Sequence, residues 1–357
     1  MTVTASASAK LIADFDARRP AALARAISIV ENQRTGFDAL LGTLHPRLGR
    51  ARRIGITGPP GAGKSTVTTQ LATAYREAGL TVGIVAVDPT SPFTGGALLG
   101  DRIRMESVAL DPGVYIRSLA TRGSLGGLSS ATRAVADVLD AYGFDRILME
   151  TVGVGQSELD IARAADTTVV ILVPESGDSI QTLKAGLMEI ADIFVVNKAD
   201  RPGADRIRTD IELMLGMRAG ESLRNVPAHH GVDLKKIMNP ARIARDAAAS
   251  DQRETWTPPV LRTVAAKGEG ITELITALDR HVRYLEASGT LRTRRRQRLR
   301  EQVIDVTEHK IRQRLWRDDD TNAFIDSSLS ALESGDETPF TIADALLSRS
   351  GHLLTRT

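Results

Sequence analysis

The chain has 357 residues, 42% of them hydrophobic and 25% charged, and its formal net charge at pH 7 is +2. This length suffices for one large α/β domain with extensions or for two domains. The near-neutral charge gives no support for nucleic-acid binding. The absence of cysteine excludes disulfides and thiolate metal sites. No apolar run is long enough for a membrane span and the first residues lack a signal peptide's apolar core, so we expect a cytoplasmic protein.

The first 50 residues are expected to form an N-terminal helical extension. Residues 1–9 look like a frayed terminus. From Lys10 to Leu48, apolar residues such as Leu23 and Ile27 recur at three- and four-residue steps, which is the period of one helix face.

A phosphate-binding loop follows, with the pattern G-x-x-x-x-G-K-[ST]. Its glycines allow the backbone to wrap around a polyphosphate and to present N–H donors. Lys64 places a positive charge on the β- and γ-phosphates, and Ser65 offers its hydroxyl to Mg²⁺. An apolar strand pattern at 53–57 and a helical pattern at 67–75 distinguish this segment from an ordinary glycine-rich turn. The predicted triphosphate-binding residues are Gly58, Pro59, Pro60, Gly61, Ala62, Gly63, Lys64, Ser65 and Thr66.

Strands and helices alternate from residue 51 to residue 286. This alternation predicts an α/β fold of the P-loop NTPase class, with a mostly parallel sheet flanked by helices. Further strands are predicted at 81–87, 114–118, 146–150, 167–173, 193–197 and 260–265, and helices at 129–142, 178–189 and 271–285.

The C-terminal segment, residues 287–357, is predicted to be a helical arm. A long arginine-rich helix is expected at 291–316, with shorter helices at 324–332 and 340–347. Basic helices can meet nucleic acid, but a solvated face is the commoner reason for such a pattern. We therefore expect no nucleic-acid partner, and an arm of this kind is suited to contact a second subunit.

The tetrapeptide Asn197-Lys198-Ala199-Asp200 follows a buried strand and fits N-K-x-D. The Asp200 carboxylate can accept hydrogen bonds from guanine N1–H and from its 2-amino group, whereas adenine lacks this donor pair. Lys198 can lay its stem along the base, and Asn197 can tie the loop back to the phosphate region. The sequence therefore predicts GTP and GDP as ligands.

Glu150 occupies the position of the aspartate in the D-x-x-G loop of GTPases. In such loops the carboxylate acts on Mg²⁺ and its waters, and the glycine, here Gly153, presents its N–H to the γ-phosphate. Because glutamate is one methylene longer, we expect contact through a metal-bound water. Gln156 follows at a distance that suits the orientation of water.

Three segments resemble the MeaB (ArgK-like) GTPases, bacterial counterparts of the human protein mutated in cobalamin A-type methylmalonic aciduria. These segments are 58–66, 86–105 and 150–158, and the resemblance extends over about residues 10 to 350. It implies a GTP hydrolase that acts as a G-protein chaperone for adenosylcobalamin-dependent methylmalonyl-CoA mutase, in cofactor loading, protection or rescue. It also implies a homodimer with a C-terminal dimerisation arm.

The resemblance also assigns residues. Catalysis falls to Lys64, Asp88, Asp101 and Glu150, and the Mg²⁺ site to Ser65, Asp88, Asp101 and Glu150. A third switch that relays nucleotide state to the mutase matches residues 178–184, with Asp178, Gln181 and Lys184 as its coupling residues. The last guanine-contacting loop falls at Ala265 and Ala266, where the family often has Ser-Ala or Ser-Gly, and recognition there is by backbone N–H groups.

Three other functions stay open: a P-loop kinase of a small molecule or protein, a metallochaperone, and a GTP-regulated scaffold. The adjacent pair His229-His230 lacks the carboxylate–histidine spacing of a zinc site, and a solvated loop is expected there. No arginine finger can be assigned, so intrinsic hydrolysis is expected to be slow and to be raised by the partner. The client is expected to be methylmalonyl-CoA mutase or a related cobalamin-dependent acyl-CoA mutase.

Overall fold

The protein is seen in a computed structural model that describes residues 5–88, 105–120, 130–151, 157–175, 185–218 and 255–351. The chain divides into two compact units, Met1–Arg292 and Thr293–Thr357.

The first unit is built on a seven-stranded sheet in the order β3-β2-β4-β1-β5-β6-β7, with every neighbouring pair parallel. From β1 the chain passes to β2 on one side and later to β5 on the other. In open α/β sheets such a reversal opens a crevice at the carboxyl ends of the strands. The strands are β1 (Arg52–Thr57), β2 (Val82–Asp88), β3 (Val114–Ala120), β4 (Arg146–Thr151), β5 (Thr167–Leu172), β6 (Ile193–Val196) and β7 (Val260–Arg262).

Helices cover both faces of the sheet, which is why the central strands are almost continuously apolar. On β2, Val85 packs into the core on one face and Ile84 into the core on the other. The helices of this unit are α1 (Ala5–Asp16), α2 (Pro20–Glu31), α3 (Phe37–Leu44), α4 (Lys64–Glu77), α5 (Glu106–Ala109), α6 (Ser130–Tyr142), α7 (Ser157–Ala164), α8 (Ala185–Ile190), α9 (Ala204–Arg218) and α10 (Ile271–Ala287).

The predicted fold class is confirmed: a parallel sheet flanked by helices, followed by a helical C-terminal segment. Some boundaries differ. The helix α1 begins at Ala5 because alanine favours helix, where a frayed end was expected. The last strand ends at Arg262 instead of residue 265, because Ala265–Lys267 turns into a 3₁₀ helix. Helices α5, α7 and α9 were not predicted.

The N-terminal helices share one core with α6 and the sheet. Leu23 and Ile27 of α2 are buried in the same cluster as Leu139 of α6. At the sheet edge, the Arg117 guanidinium of β3 forms an ion pair with Glu31 of α2. The residues predicted as an extension are therefore part of the first compact unit.

A buried ion cluster fastens the start of β1 to α6. Arg53 is 5% exposed, and its Nη2 donates to Asp137 Oδ1 at 2.7 Å and to Asp140 Oδ2 at 3.0 Å. Burial alone would lower the pKa of Arg53, but the Asp137 and Asp140 carboxylates raise it on balance. Asp140 also accepts backbone N–H bonds from residues 49–51 at 2.9, 3.1 and 2.9 Å. The cluster thus fixes the connection between α3 and β1.

The second unit is helical. It contains most of α11 (Thr290–Trp316), which is followed by α12 (Asp319–Ser334) and α13 (Pro339–Arg349). The Asp318 carboxylate accepts from Thr321 N at 3.0 Å and caps α12. Thr338 and Thr341 form a capping box at the start of α13. None of the residues of α11 is buried. Across all the ranges given above, no helix combines the length and hydrophobicity needed to cross a bilayer.

The ion cluster predicts that two aspartates contribute very differently to the free energy of unfolding. In Asp140→Ala the Arg53 charge loses one of its two carboxylates and three backbone N–H groups lose their acceptor. We expect the free energy of unfolding to fall by about 3–5 kcal/mol. Asp279, which pairs with Arg52 at 2.8 Å with both side chains about one third or more exposed, is the control. Asp279→Ala should cost at most about 1 kcal/mol. Urea denaturation measures both, and equal losses would contradict the role given to Asp140.

Candidate functional site

The loop between β1 and α4 needs glycine at positions 58 and 63. Gly58 has φ +140°, and a Cβ there would lie 2.0 Å from Ile171 O of β5. Gly63 has φ +85° and is the N-cap of α4, and a Cβ there would lie 2.4 Å from Asn197 Nδ2. The loop is therefore packed against β5 and against the segment after β6. It leads directly into the N-terminus of a 14-residue helix, an arrangement that favours anions.

Lys64 folds back across this loop. Its Nζ donates to the carbonyl oxygens of Gly58 and Pro59, both at 3.0 Å, and the residue is 6% exposed. The loop carbonyls thus hold a buried positive charge at the start of α4. A phosphate oxygen is a stronger acceptor for this ammonium than a carbonyl.

The Glu150 carboxylate lies against the first turn of α4. It is 4% exposed, and Ser65 Oγ donates to its Oε1 at 2.6 Å. Thr68 Oγ1 donates to its Oε2 at 2.9 Å. The sequence motif did not point to Thr68, although its position three residues beyond Ser65 places both hydroxyls on one side of a helix. The hydrogen bond from Ser65 to Glu150 is direct.

Asn197 joins three loops. Its Nδ2 donates to Ala62 O at 2.9 Å, and its Oδ1 accepts from Thr263 Oγ1 at 3.0 Å and from Ala265 N at 3.1 Å. The side chain is 3% exposed, so all of these bonds are made away from bulk water. Sequence reasoning anticipated the link to the phosphate loop but not Thr263, whose hydroxyl lies 66 residues further along the chain.

Residues after Asn197 turn towards solvent. Lys198 has φ +55°, in the left-handed region, and Ala199 N donates to Thr263 O at 3.0 Å. The Asp200 carboxylate is 45% exposed and lies 3.9 Å from Lys267 Nζ. Ala266 is exposed, while the N–H of buried Ala265, predicted to face the base, donates to Asn197 instead.

Several predicted site residues lie outside the described residues. They are Asp101, Gly153, Gln156, Asp178, Gln181 and Lys184. The pair His229-His230, expected in a solvated loop, also lies outside them. Asp88 ends β2, and only its backbone is described. In the part of the chain that is described, no group of three or more His, Cys, Asp or Glu side chains could hold a metal ion.

The described site residues gather at the carboxyl ends of β1, β4, β6 and β7. There the fold brings together a helix N-terminus, the buried Lys64 ammonium, the oxygens of Ser65 and Glu150, and the exposed Asp200 carboxylate. Such a set can bind a polyphosphate at one end and a polar base at the other.

Comparison with known proteins gives the family. The model of the family described as methylmalonyl-CoA mutase-associated GTPase MeaB matches residues 23–320. This chain belongs to the MeaB family of GTPases. The resemblance noted in the sequence is thereby confirmed, and a MeaB-family member is a GTP hydrolase.

Individual relatives agree with the family. A Pyrococcus horikoshii protein named as a GTPase is 49% identical over 80% of this chain and 81% of its own length. The mouse mitochondrial methylmalonic aciduria type A homolog is 33% identical over 82% of this chain and 64% of its own length. A crystal structure of an LAO/AO transport system kinase covers 98% of this MeaB-family chain and 99% of its own, with a TM-score of 0.63 and 26% identity.

The packing of the loop predicts that replacing its glycines with alanine lowers the free energy of unfolding by different amounts. Gly61 has φ +75° with open space around it, so Gly61→Ala should cost only the left-handed backbone penalty, about 1–2 kcal/mol. Gly63→Ala adds a collision with Asn197, whose displacement breaks buried hydrogen bonds. We expect an additional loss of about 2 kcal/mol in the free energy of unfolding. Denaturant titration without nucleotide measures both, and equal losses would show that Asn197 yields freely.

Proposed function

We propose that this GTPase binds Mg²⁺·GTP at the site just described and serves as a G-protein chaperone for adenosylcobalamin-dependent methylmalonyl-CoA mutase. The observation that carries the nucleotide part is the bonding of Asn197, which ties the phosphate loop to the loop that follows β7. Because of these hydrogen bonds, the loop that would contact the phosphates and the loop that would contact the base of one nucleotide would be held together.

The phosphate end would be held by the backbone of residues 58–66 and by Lys64. The ammonium would exchange its two carbonyl acceptors for β- and γ-phosphate oxygens. The positive end of α4 adds to the attraction. Hydrolysis would then depend on positioning of a water and on neutralisation of charge, since phosphoryl transfer requires little covalent chemistry from the protein.

The oxygens of Ser65 and Glu150 fit a magnesium ion. Mg²⁺ prefers hard oxygen donors and is usually bound by one or two carboxylates together with phosphates and waters. When bound, the ion would neutralise charge on the β- and γ-phosphates. Ser65 and Glu150 would hold it with Asp88 at the end of β2, and the family resemblance adds Asp101.

The guanine end would be read by Asp200, with Lys198 along the base and the backbone of Ala265 and Ala266 near its edge. The left-handed φ of Lys198 turns the chain out of β6 and brings the Asp200 carboxylate to the solvent-exposed rim. Ala265 acts here through Asn197, which leaves Ala266 as the exposed backbone of that loop.

The mutase part of the proposal is supported by the family's description and by the mouse relative's name. Asp178, Gln181 and Lys184 would form the switch that reports nucleotide state to the mutase, or to a related cobalamin-dependent acyl-CoA mutase. A kinase remains a second candidate because the similar crystal structure is titled a transport system kinase.

We also propose that the chain is a homodimer through its C-terminal helices. On α11, apolar side chains remain exposed, among them Val303 at 67% and Trp316 at 49%. Residues 290–317 carry ten basic and three acidic residues, whereas residues 318–351 carry one basic and eight acidic residues. A second copy supplies both an apolar surface and the opposite charge, so the basic helix of one chain would pack on the acidic helices of the other.

GTP turnover with and without the mutase tests the main proposal. We expect turnover to rise when the mutase is added, and the mutase to be captured by the GTP-bound chain. Lys64→Ala should lose turnover because its charge is needed on the phosphates. Transfer of phosphate to an amino acid or a protein in excess over free phosphate would favour the kinase, and stoichiometric nickel binding would favour a metallochaperone. Mutase loading by Lys64→Ala would favour a scaffold.

Asp200→Asn tests which base the site recognises. Its side-chain amide can donate where guanine also donates, so GTP affinity should fall by about 100-fold or more. Xanthine carries an oxygen in place of the 2-amino group, and xanthosine triphosphate should bind the variant better than GTP does. Calorimetry with GTP, ATP and xanthosine triphosphate measures this. Equal affinity of the unmodified chain for ATP and GTP would contradict the role of Asp200.

The dimer is tested on two exposed apolar positions. Val303→Glu introduces a charge into the proposed interface, and the dimer dissociation constant should rise by about tenfold or more because a carboxylate would have to be desolvated. Leu110→Glu changes a side chain that is 92% exposed in the first unit and should have no effect. Sedimentation velocity at low and high salt measures both. A monomeric parent chain, or equal behaviour of the two variants, would contradict the proposed interface.

A further inference from the structure

Thr68 is a buried hydroxyl that the phosphate-loop motif does not include. It is 0% exposed, and its Oγ1 lies 2.9 Å from Glu150 Oε2. The other carboxylate oxygen, Oε1, accepts from Ser65 Oγ at 2.6 Å. Each oxygen of Glu150 therefore has its own partner, and both partners stand on the first turns of α4.

The Thr68 hydroxyl is itself held in place. Its Oγ1 also lies 3.0 Å from Lys64 O, one helical turn back, which is the position of a threonine bonded to its own helix. The hydroxyl has one proton for two acceptors, and an ionised carboxylate is the stronger of them. Thr68 is thus a fixed donor aimed at Glu150.

The Glu150 backbone is fixed as well, because β4 pairs with β1 and β2 on its two sides. Glu150 lies opposite Ile56 on one side and Ala86 on the other. The sheet does not fix the Glu150 side chain, and a glutamate has more rotamer freedom to lose than an aspartate. The contact with Thr68 removes that freedom at the oxygen that does not face Ser65.

We propose that Thr68 is a positioning residue: it holds Glu150 Oε2 so that Oε1 is presented beside Ser65, where Mg²⁺ is bound with the nucleotide. This role rests on the proposed Mg²⁺·GTP function. It also gives a reason for glutamate at a position where GTPases usually have aspartate, because the longer side chain spans both hydroxyls of α4. Partners that orient metal ligands typically change metal affinity by about 10–100-fold when removed.

Thr69 provides a matched control on the same helix. It is 8% exposed, and its Oγ1 donates to Ser65 O at 2.8 Å. Thr69→Val and Thr68→Val therefore delete the same buried hydroxyl and the same kind of bond to a helix carbonyl. They differ in the bond to Glu150.

The experiment measures binding of a fluorescent GDP analogue over a series of Mg²⁺ concentrations and in EDTA, together with the Mg²⁺ concentration for half-maximal GTP hydrolysis. Thr68→Val should need about tenfold more Mg²⁺ in both assays, with its affinity in EDTA within about twofold of the parent chain. Thr68→Ser should restore most of the Mg²⁺ response, and Thr69→Val should match the parent. Thermal unfolding verifies that the variants are folded, and Thr68→Ala against Thr69→Ala replaces the pair if valine at 68 prevents folding.

Equal Mg²⁺ requirements for the variants at 68 and 69 would overturn the proposal while leaving the proposed function intact. So would a Thr68→Ser variant as impaired as Thr68→Val. A parent chain whose guanine nucleotide binding does not respond to Mg²⁺ would instead overturn the proposed metal site, and with it the role of Thr68.

Discussion

The hydrogen bonds of the Asn197 side chain are the interactions on which the rest of the site depends. Its amide spans the phosphate loop and the loop after β7, and its burial means that breaking any of these bonds leaves a polar group without water. The same amide lies so close to Gly63 that a Cβ at that position would have to displace it. The glycine required by the phosphate motif is thus required twice, once by its positive φ and once by Asn197.

Close packing around Asn197 determines how the other parts meet. The phosphate loop lies against the β5 backbone at Gly58, so β1 and β5 position its start while α4 positions its end. From α4, the hydroxyls of Ser65 and Thr68 reach Glu150 on β4. Three strands and one helix therefore position a few polar atoms, and such support on rigid elements is what precise orientation of phosphate and metal needs.

The sequence predicted the parts of this arrangement that are local. A strand, a glycine-rich turn and a helix in succession specify the phosphate loop, and N-K-x-D after an apolar strand specifies the base loop. Thr68 and Thr263 were missed because a threonine in a helix or after a strand is ordinary, and only its distant partner gives it a role. The ion cluster of Arg53 was missed for the same reason, since its carboxylates lie 84 and 87 residues away.

The charged groups near the two ends of β1 differ in how they are bonded. At its start, Arg53 pairs with Asp137 and Asp140, and Asp140 also accepts backbone N–H bonds, so charge and hydrogen-bonding capacity are used within the fold. At its carboxyl end, Lys64 is held by carbonyls and Asp200 stands 45% exposed, groups with capacity that a charged ligand would use better. A parallel sheet makes this division possible because the carboxyl ends of all its strands lie at the same end of the sheet. Stabilising contacts are thus concentrated at one end of the strands, and the other end presents the charged and polar groups that the nucleotide of a GTPase would contact.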